Sequence, residues 1–287
     1  MYDILIYTII SLSVLGVILA LVLFVIARQF RVIEDPRIDD VEEALPGANC
    51  GGCGYPGCRG FAEACVKADG LSGLFCPAGG NDCMTTIAGV LGLEAIEKDP
   101  EVAVIRCSGS LQVRPRANVY DSITTCAACA LLYSGDTGCQ YGCLGFGDCV
   151  EVCNFDAIYI DKLTGLPVVE DDKCTGCGSC VTACPKDIIE LRKKNKKDRK
   201  IYVSCINKDK GGIAKKSCSV ACIGCGKCEK ECKFEAITVE NFLAYIDPEK
   251  CKLCRKCVEV CPTGAILEMN FPPKKEKKEE VKSENGN

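Results

Sequence analysis

The sequence predicts an α+β protein: one membrane-spanning helix at the N-terminus, then small cysteine-rich domains in series, the last two being copies of one unit. Three observations predict it. Residues 4–27 run for 24 residues without a charge, long enough to cross a bilayer as a helix. Cysteine supplies 27 of the 287 residues and crowds at two- and three-residue gaps. The second half of the chain then repeats itself, gap for gap.

The apolar span, "ILIYTIISLSVLGVILALVLFVIA", has only Asp3 ahead of it and no small-x-small cleavage site behind it. It reads as an uncleaved anchor, residues 1–28, rather than a signal peptide. Arg28 and Arg31 follow at once. The positive-inside rule then places the rest of the chain on the cytoplasmic side of the cell membrane, a single-pass arrangement. That compartment is reducing, so the cysteines are not expected in disulfides. There is no His in the chain, which excludes haem with a His axial ligand, Cys2His2 zinc fingers and Rieske centres, and removes the usual general base. The formal net charge of −4 predicts no nucleic-acid partner.

After a polar linker, 29–48, a first module spans 49–105. Its run Cys50-x2-Cys53-x4-Cys58-x17-Cys76-Pro77 offers one complete four-thiolate set, and Gly51, Gly52, Gly54 and Gly57 suit a backbone folded tightly around a metal cluster. Cys65 lies in "FAEACVKA" and Cys83 opens "CMTTIAGVLGLEAIE", both helical in pattern, so these two read as buried thiols. "EVAVIRC", 101–107, reads as a strand closing the module.

The repeat follows, over 106–192 and 200–270. Cys126-x12-Cys139-x3-Cys143-x5-Cys149-x3-Cys153 matches Cys205-x12-Cys218-x3-Cys222-x5-Cys228-x3-Cys232, and "CNFDAI" matches "CKFEAI". Cys174-x2-Cys177-x2-Cys180-x3-Cys184-Pro185 matches Cys251-x2-Cys254-x2-Cys257-x3-Cys261-Pro262. A C-x2-C-x2-C-x3-C-P run is the bacterial two-cluster ferredoxin pattern, in which three cysteines of one loop hold a [4Fe-4S] cube and the fourth reaches the other cluster. The expected architecture is therefore a transmembrane helix, a small 4Fe-4S module and two tandem two-cluster ferredoxin-like domains. The tail, 271–287, is charged and reads as disordered.

In the second copy the sets are complete: Cys222, Cys225, Cys228 and Cys261 for one cluster, Cys232, Cys251, Cys254 and Cys257 for the other. The first copy gives Cys153, Cys174, Cys177 and Cys180, but leaves Cys143, Cys149 and Cys184 one ligand short, because Phe146 stands where a cysteine should. Cys139 is the simplest completion, with Cys126 or Cys129 as alternatives and a three-cysteine cluster as the remaining one. Cys139→Ser should then lose a cluster and Cys218→Ser none. Cys107, Cys126, Cys129, Cys205 and Cys218 have no assigned role beyond core packing, and Cys107, Cys126 and Cys129 are candidates for one further cluster. The expectation is about five [4Fe-4S] clusters.

The order of these features, an anchor, "GANCGGCGYPGC…CPAGG", "GCLGFGDCVEVCNFDAI" and then ferredoxin runs, resembles the B subunit of the Rnf complex over nearly the whole chain except the tail. The "CGGCGYPGC" module is also similar to one in corrinoid iron–sulfur proteins. The resemblance implies an electron-transfer subunit of a membrane oxidoreductase, a translocase that couples ferredoxin:NAD oxidoreduction to Na+ or H+ movement. It implies soluble ferredoxin as the electron donor and the other subunits of that complex as acceptors. Phe146 departs from the plain ferredoxin pattern.

The residues support a conduit on their own. No G-x-G-x-x-G opens a βαβ unit and no acid–base pair stands out, so no catalytic residue is nominated. The basic run "RKKNKKDRK", 192–200, is either a solvated loop or, through Lys193, Lys194, Lys196 and Lys197, a dock for an acidic ferredoxin. Two other classes compete: a membrane-bound polyferredoxin serving a hydrogenase or a corrinoid protein, and a scaffold held by structural zinc, which prefers separated C-x2-C pairs.

Overall fold

The computed structural model describes residues 2–29, 34–132, 135–195 and 197–273. Helix α1, Tyr2–Gln29, stands free of the rest, its apolar side chains exposed along its length. By length and composition this helix is able to cross a bilayer. Lys196 and most of the charged tail, 274–287, lie outside the described residues.

Helices α2 (Arg37–Ala44), α3 (Cys58–Lys67) and α4 (Gly80–Leu91) close on one small core containing Val41, Phe61, Cys65, Leu71, Met84 and Ile87. Strand β1 (Glu101–Ile105) follows, then α5 (Cys126–Leu132), α6 (Asp148–Glu151), β2 (Ile158–Ile160), β3 (Pro167–Val169), α7 (Ser179–Ala183) and β4 (Ile189–Lys193). β1 pairs antiparallel with β4, from Glu101↔Lys193 to Ile105↔Ile189, and β2 with β3. The expected boundary at 105/106 is therefore moved. Four of the five β1 residues are buried, and they find their partner in the ferredoxin-like unit, which begins at Glu101.

The second unit repeats this plan: β5 (Lys200–Val203), α8 (Gly211–Ser217), α9 (Lys227–Glu231), β6 (Ile237–Glu240), β7 (Leu243–Ile246), α10 (Lys256–Val260) and β8 (Ile266–Met269). β5 pairs with β8 and β6 with β7. In each unit the strands back a core that includes ligand-run cysteines, Cys149 and Cys180 in the first and Cys222, Cys228 and Cys257 in the second.

The two units are docked through buried charge. Arg192 of β4 is 4% exposed and donates to the Ile201 and Ile246 carbonyls at 3.1 and 3.0 Å, while pairing with Glu190. Arg106 pairs with the same Glu190 and donates to Val203 O. Lys200, also buried, pairs with Asp171 at 2.6 Å. Such groups are tolerated inside because each has partners.

Candidate metal centres

In the first module, Cys50, Cys53, Cys58 and Cys76 line one cavity of about 300 Å³. Asn49 positions the loop: its Oδ1 accepts from Cys58 N–H at 2.8 Å at the start of α3. Cys83, whose thiol donates to Ala44 O at 3.3 Å, lies behind Cys76; its side chain, with the Gly79 N–H that donates to the Cys76 sulfur at 3.4 Å, holds the Cys76 thiol below its usual value against the cost of burial. Cys83 thus supports a ligand position, whereas Cys65 is fully buried and burial pushes its thiol up to about 11.

Cys153, Cys174, Cys177 and Cys180 line a second cavity, of about 310 Å³. Burial pushes Cys180 up to about 12, reinforced by the thiolates of Cys174 and Cys177. In the second unit, burial raises Cys228 to about 11, with Cys222, Cys225 and Cys261 adding to it. Burial likewise takes Cys257 to about 12, with Cys251, Cys254 and Cys232 beside it. These are the groupings that the runs predict. Three of the four run loops turn on left-handed glycine pairs, Gly145/Gly147, Gly176/Gly178 and Gly224/Gly226; the fourth puts Leu253 and Arg255 in that conformation, which costs about 1–2 kcal/mol per non-glycine residue.

The structure brings Cys126, and not Cys139, beside the incomplete set. A cavity of about 400 Å³ is lined by Cys126, Cys143, Cys149 and Cys184. Asp148 brings Cys126 there: its carboxylate accepts from Cys126 N–H at 2.7 Å and from Ala127 N–H at 2.9 Å, at the start of α5. The Cys126 sulfur then receives the Phe146 and Gly147 N–H groups, although burial still raises its thiol. Phe146 turns aside and packs on Tyr120 with ring centroids 5.4 Å apart. Cys129 is buried and does not line this cavity.

Cys139 belongs elsewhere. With Cys107, Cys205 and Cys218 it lines a further cavity, of about 340 Å³, at the junction of the two units. Cys107 stands two residues beyond β1 and Cys205 two residues beyond β5; Cys139 and Cys218 each precede the first cysteine of their run by four. The set is therefore pseudo-symmetric, two cysteines from each copy. Cys205 has Cys107 as its counterpart, so the equal gaps that paired it with Cys126 are coincidental. Asn207 donates to Cys139 Sγ at 3.6 Å, and Ser108 bridges to Ser204 at 2.7 Å beside the cavity.

The donor chemistry fits iron–sulfur clusters. Among the described residues no three His, Cys, Asp or Glu side chains converge on a point that would hold a single ion. Sulfurs surround a space instead, as a cube of iron and sulfide requires and a tetrahedral zinc ion does not. The raised thiol values mean that loading releases protons, because only thiolate binds iron.

The sets adjoin in series. Cys50 lies within the field of Cys177, Cys180 within that of Cys149, Cys143 within that of Cys107, Cys205 within that of Cys222 and Cys257 within that of Cys228. The first contact is close: a Cβ on Gly52 would stand 2.5 Å from the Cys177 carbonyl, and Ser179 Oγ donates to Cys50 O.

Comparison with known proteins agrees with this geometry. The 4Fe-4S dicluster domain family matches residues 137–188 and 221–265, and an Fe-S cluster family matches 45–70. The chain is 44% identical to the B subunit of the Na(+)-translocating ferredoxin:NAD(+) oxidoreductase complex of Acetobacterium woodii, over 89% of this chain and 75% of that one. It is 42% identical to the B subunit of the ion-translocating oxidoreductase complex of Methanosarcina acetivorans, over 93% of this chain and 99% of that one. The B subunit of the proton-translocating ferredoxin:NAD(+) oxidoreductase complex of Clostridium ljungdahlii is 40% identical over 89% of each chain. The chain belongs to the family of B subunits of Rnf ion-translocating oxidoreductase complexes. As a member of this Rnf family it is an iron–sulfur protein of electron transport. The cysteines that the runs left unassigned, Cys107, Cys126, Cys129, Cys205 and Cys218, fall outside the matched domains.

The basic run is less free than its charge suggests. Lys193 pairs with Glu249 at 2.7 Å and Asp99 at 3.3 Å, and Lys194 donates to Asp171 O at 3.1 Å with Asp172 and Asp198 nearby. Arg192 and Lys200 are buried. Lys197 is exposed.

Proposed function

We propose that this chain is the electron-accepting subunit of an Rnf-type complex, taking electrons from reduced ferredoxin and passing them through six [4Fe-4S] clusters toward partner subunits in the membrane. The unbroken series of four-cysteine sets carries this reading. The order runs from Cys232/Cys251/Cys254/Cys257 and Cys222/Cys225/Cys228/Cys261, through the junction set, to Cys126/Cys143/Cys149/Cys184, Cys153/Cys174/Cys177/Cys180 and Cys50/Cys53/Cys58/Cys76. Cys225 and Cys254 are the exposed cysteines of the chain, which suits the second unit as the receiving end. The first module is the one nearest the anchor along the chain, which suits the delivering end, on the cytoplasmic side.

When bound, the clusters supply one-electron chemistry. The protein's residues hold them, exclude water and direct N–H groups at sulfur, as Ala103 N–H does at Cys174 and Ala244 N–H at Cys222, each at 3.5 Å. NAD chemistry and ion movement fall to partner subunits; the relatives' names differ in the ion, Na+ in one and protons in another. If ferredoxin docks by charge on the basic run, the exposed Lys197 carries that role better than the paired Lys193 and Lys194.

Anaerobically purified full-length chain should hold about 24 iron with matching acid-labile sulfide. Cys225→Ser and Cys254→Ser should slow oxidation of reduced ferredoxin. Zinc without sulfide would overturn the cluster reading; unchanged ferredoxin rates in both variants would overturn the receiving end.

A further inference from the structure

One charged side chain is explained by none of the contacts that dock the two units. Arg114 is 5% exposed and lines the cavity of Cys107, Cys139, Cys205 and Cys218. Its Nη1 donates to the carbonyl of Cys143, a residue of the neighbouring set. Its Nε has no hydrogen-bond partner, and among the described residues no carboxylate pairs with it. Its positive field falls on Cys139 and Cys218, one cysteine from each unit.

The surroundings are built to hold it. A Cβ at Gly109 would stand 2.8 Å from Arg114 Cδ, and one at Gly142 would stand 3.0 Å from Nη1. Val113 O accepts from Ser219 N–H at 3.1 Å, tying this segment to the second unit next to Cys218. A guanidinium is always protonated, and burying it without a counter-charge is unfavourable. An anionic group beside it removes the conflict. Four thiolates outweigh the positive charge of an iron–sulfide core, so a thiolate-ligated cluster is anionic, and more so when reduced.

We propose that Arg114 is the positioning charge that raises the reduction potential of the junction cluster and so favours passage of an electron across the boundary between the two units. This rests on the reading of Cys107, Cys139, Cys205 and Cys218 as cluster ligands. The step is a single electron transfer: the junction cluster gains one electron from the reduced cluster beside it, which is oxidised by one. No bond or proton changes at Arg114. The ultimate reductant is a low-potential ferredoxin.

The test is potentiometric titration of full-length chain followed by electron paramagnetic resonance, with iron counted in the same samples. The junction component is identified first as the one lost in Cys218→Ser together with about four iron. In Arg114→Gln that component should remain, with iron unchanged, while its reduction equilibrium moves toward the oxidised form by at least tenfold, about 59 mV for a one-electron couple. Arg114→Lys should recover part of the shift. An unmoved potential in Arg114→Gln at full iron overturns the proposal, as does loss of iron in both Arg114 variants, which would make the residue a packing element. If Cys218→Ser loses neither iron nor a component, the failure lies instead in the six-cluster reading.

Discussion

Phe146 occupies the place of Cys225 in the other copy, and Cys126 supplies the sulfur in its stead, held by the Asp148 carboxylate. Cys126→Ser should therefore lose about four iron per chain, measured by iron and sulfide analysis. Adding Phe146→Cys to that variant should restore them, because the loop N–H groups already face that point; a double variant still short of iron would show that the ligand has to come from α5. Cys139→Ser should lose a cluster, as the run spacing suggests, but so should Cys218→Ser, contrary to the expectation from spacing. Cys65→Ala should keep every iron and lose only packing, roughly 1 kcal/mol by chemical denaturation.

At the scale of elements, the helices that carry ligands are four to ten residues long, too short to persist alone. They are fixed by docking and, at α3 and α5, by side chains that accept from their first N–H groups. Asp148 serves α5 in this way, and burial notwithstanding, the Cys126 and Ala127 N–H groups hold its carboxyl below the usual value. Asp148→Ala should destabilise this corner by roughly 1 kcal/mol, seen as faster iron release from one cluster under chelator. Arg192 links β4 to β5 and β7 through two buried carbonyls and Glu190. Arg192→Met should cost roughly 3 kcal/mol, since it leaves those acceptors without their donor and Glu190 with Arg106 alone; thermal melting of the loaded chain checks this.

For the whole molecule, the proposed junction cluster would leave neither ferredoxin-like unit complete by itself. Residues 200–270 expressed alone should bind two clusters, about eight iron, because Cys205 and Cys218 supply only half of the set that they belong to. The iron counts of the two units made separately should fall about four short of the count they reach when joined. Equal counts would place the junction cysteines in packing. On that proposal docking of the units is coupled to cluster loading, and loss of the junction cluster should loosen the Arg106 contacts, which border that cavity.

The long apolar helix, the 4Fe-4S dicluster character and the local cysteine runs were legible in the sequence because each depends on spacing along one short stretch: a bilayer's width in residues, or three cysteines that one loop can aim at one point. The partition of Cys184 and Cys261 onto opposite runs was legible too, since the two-cluster pattern implies it. Three things were decided by tertiary structure. β1 belongs with β4, because strand pairing is settled by which buried edge lies opposite. Cys126 comes to the place of the missing cysteine, because Asp148 draws α5 across the cavity. Cys107, Cys139, Cys205 and Cys218 form one set, because docking of two units brings together residues whose separation along the chain says nothing about their separation in space.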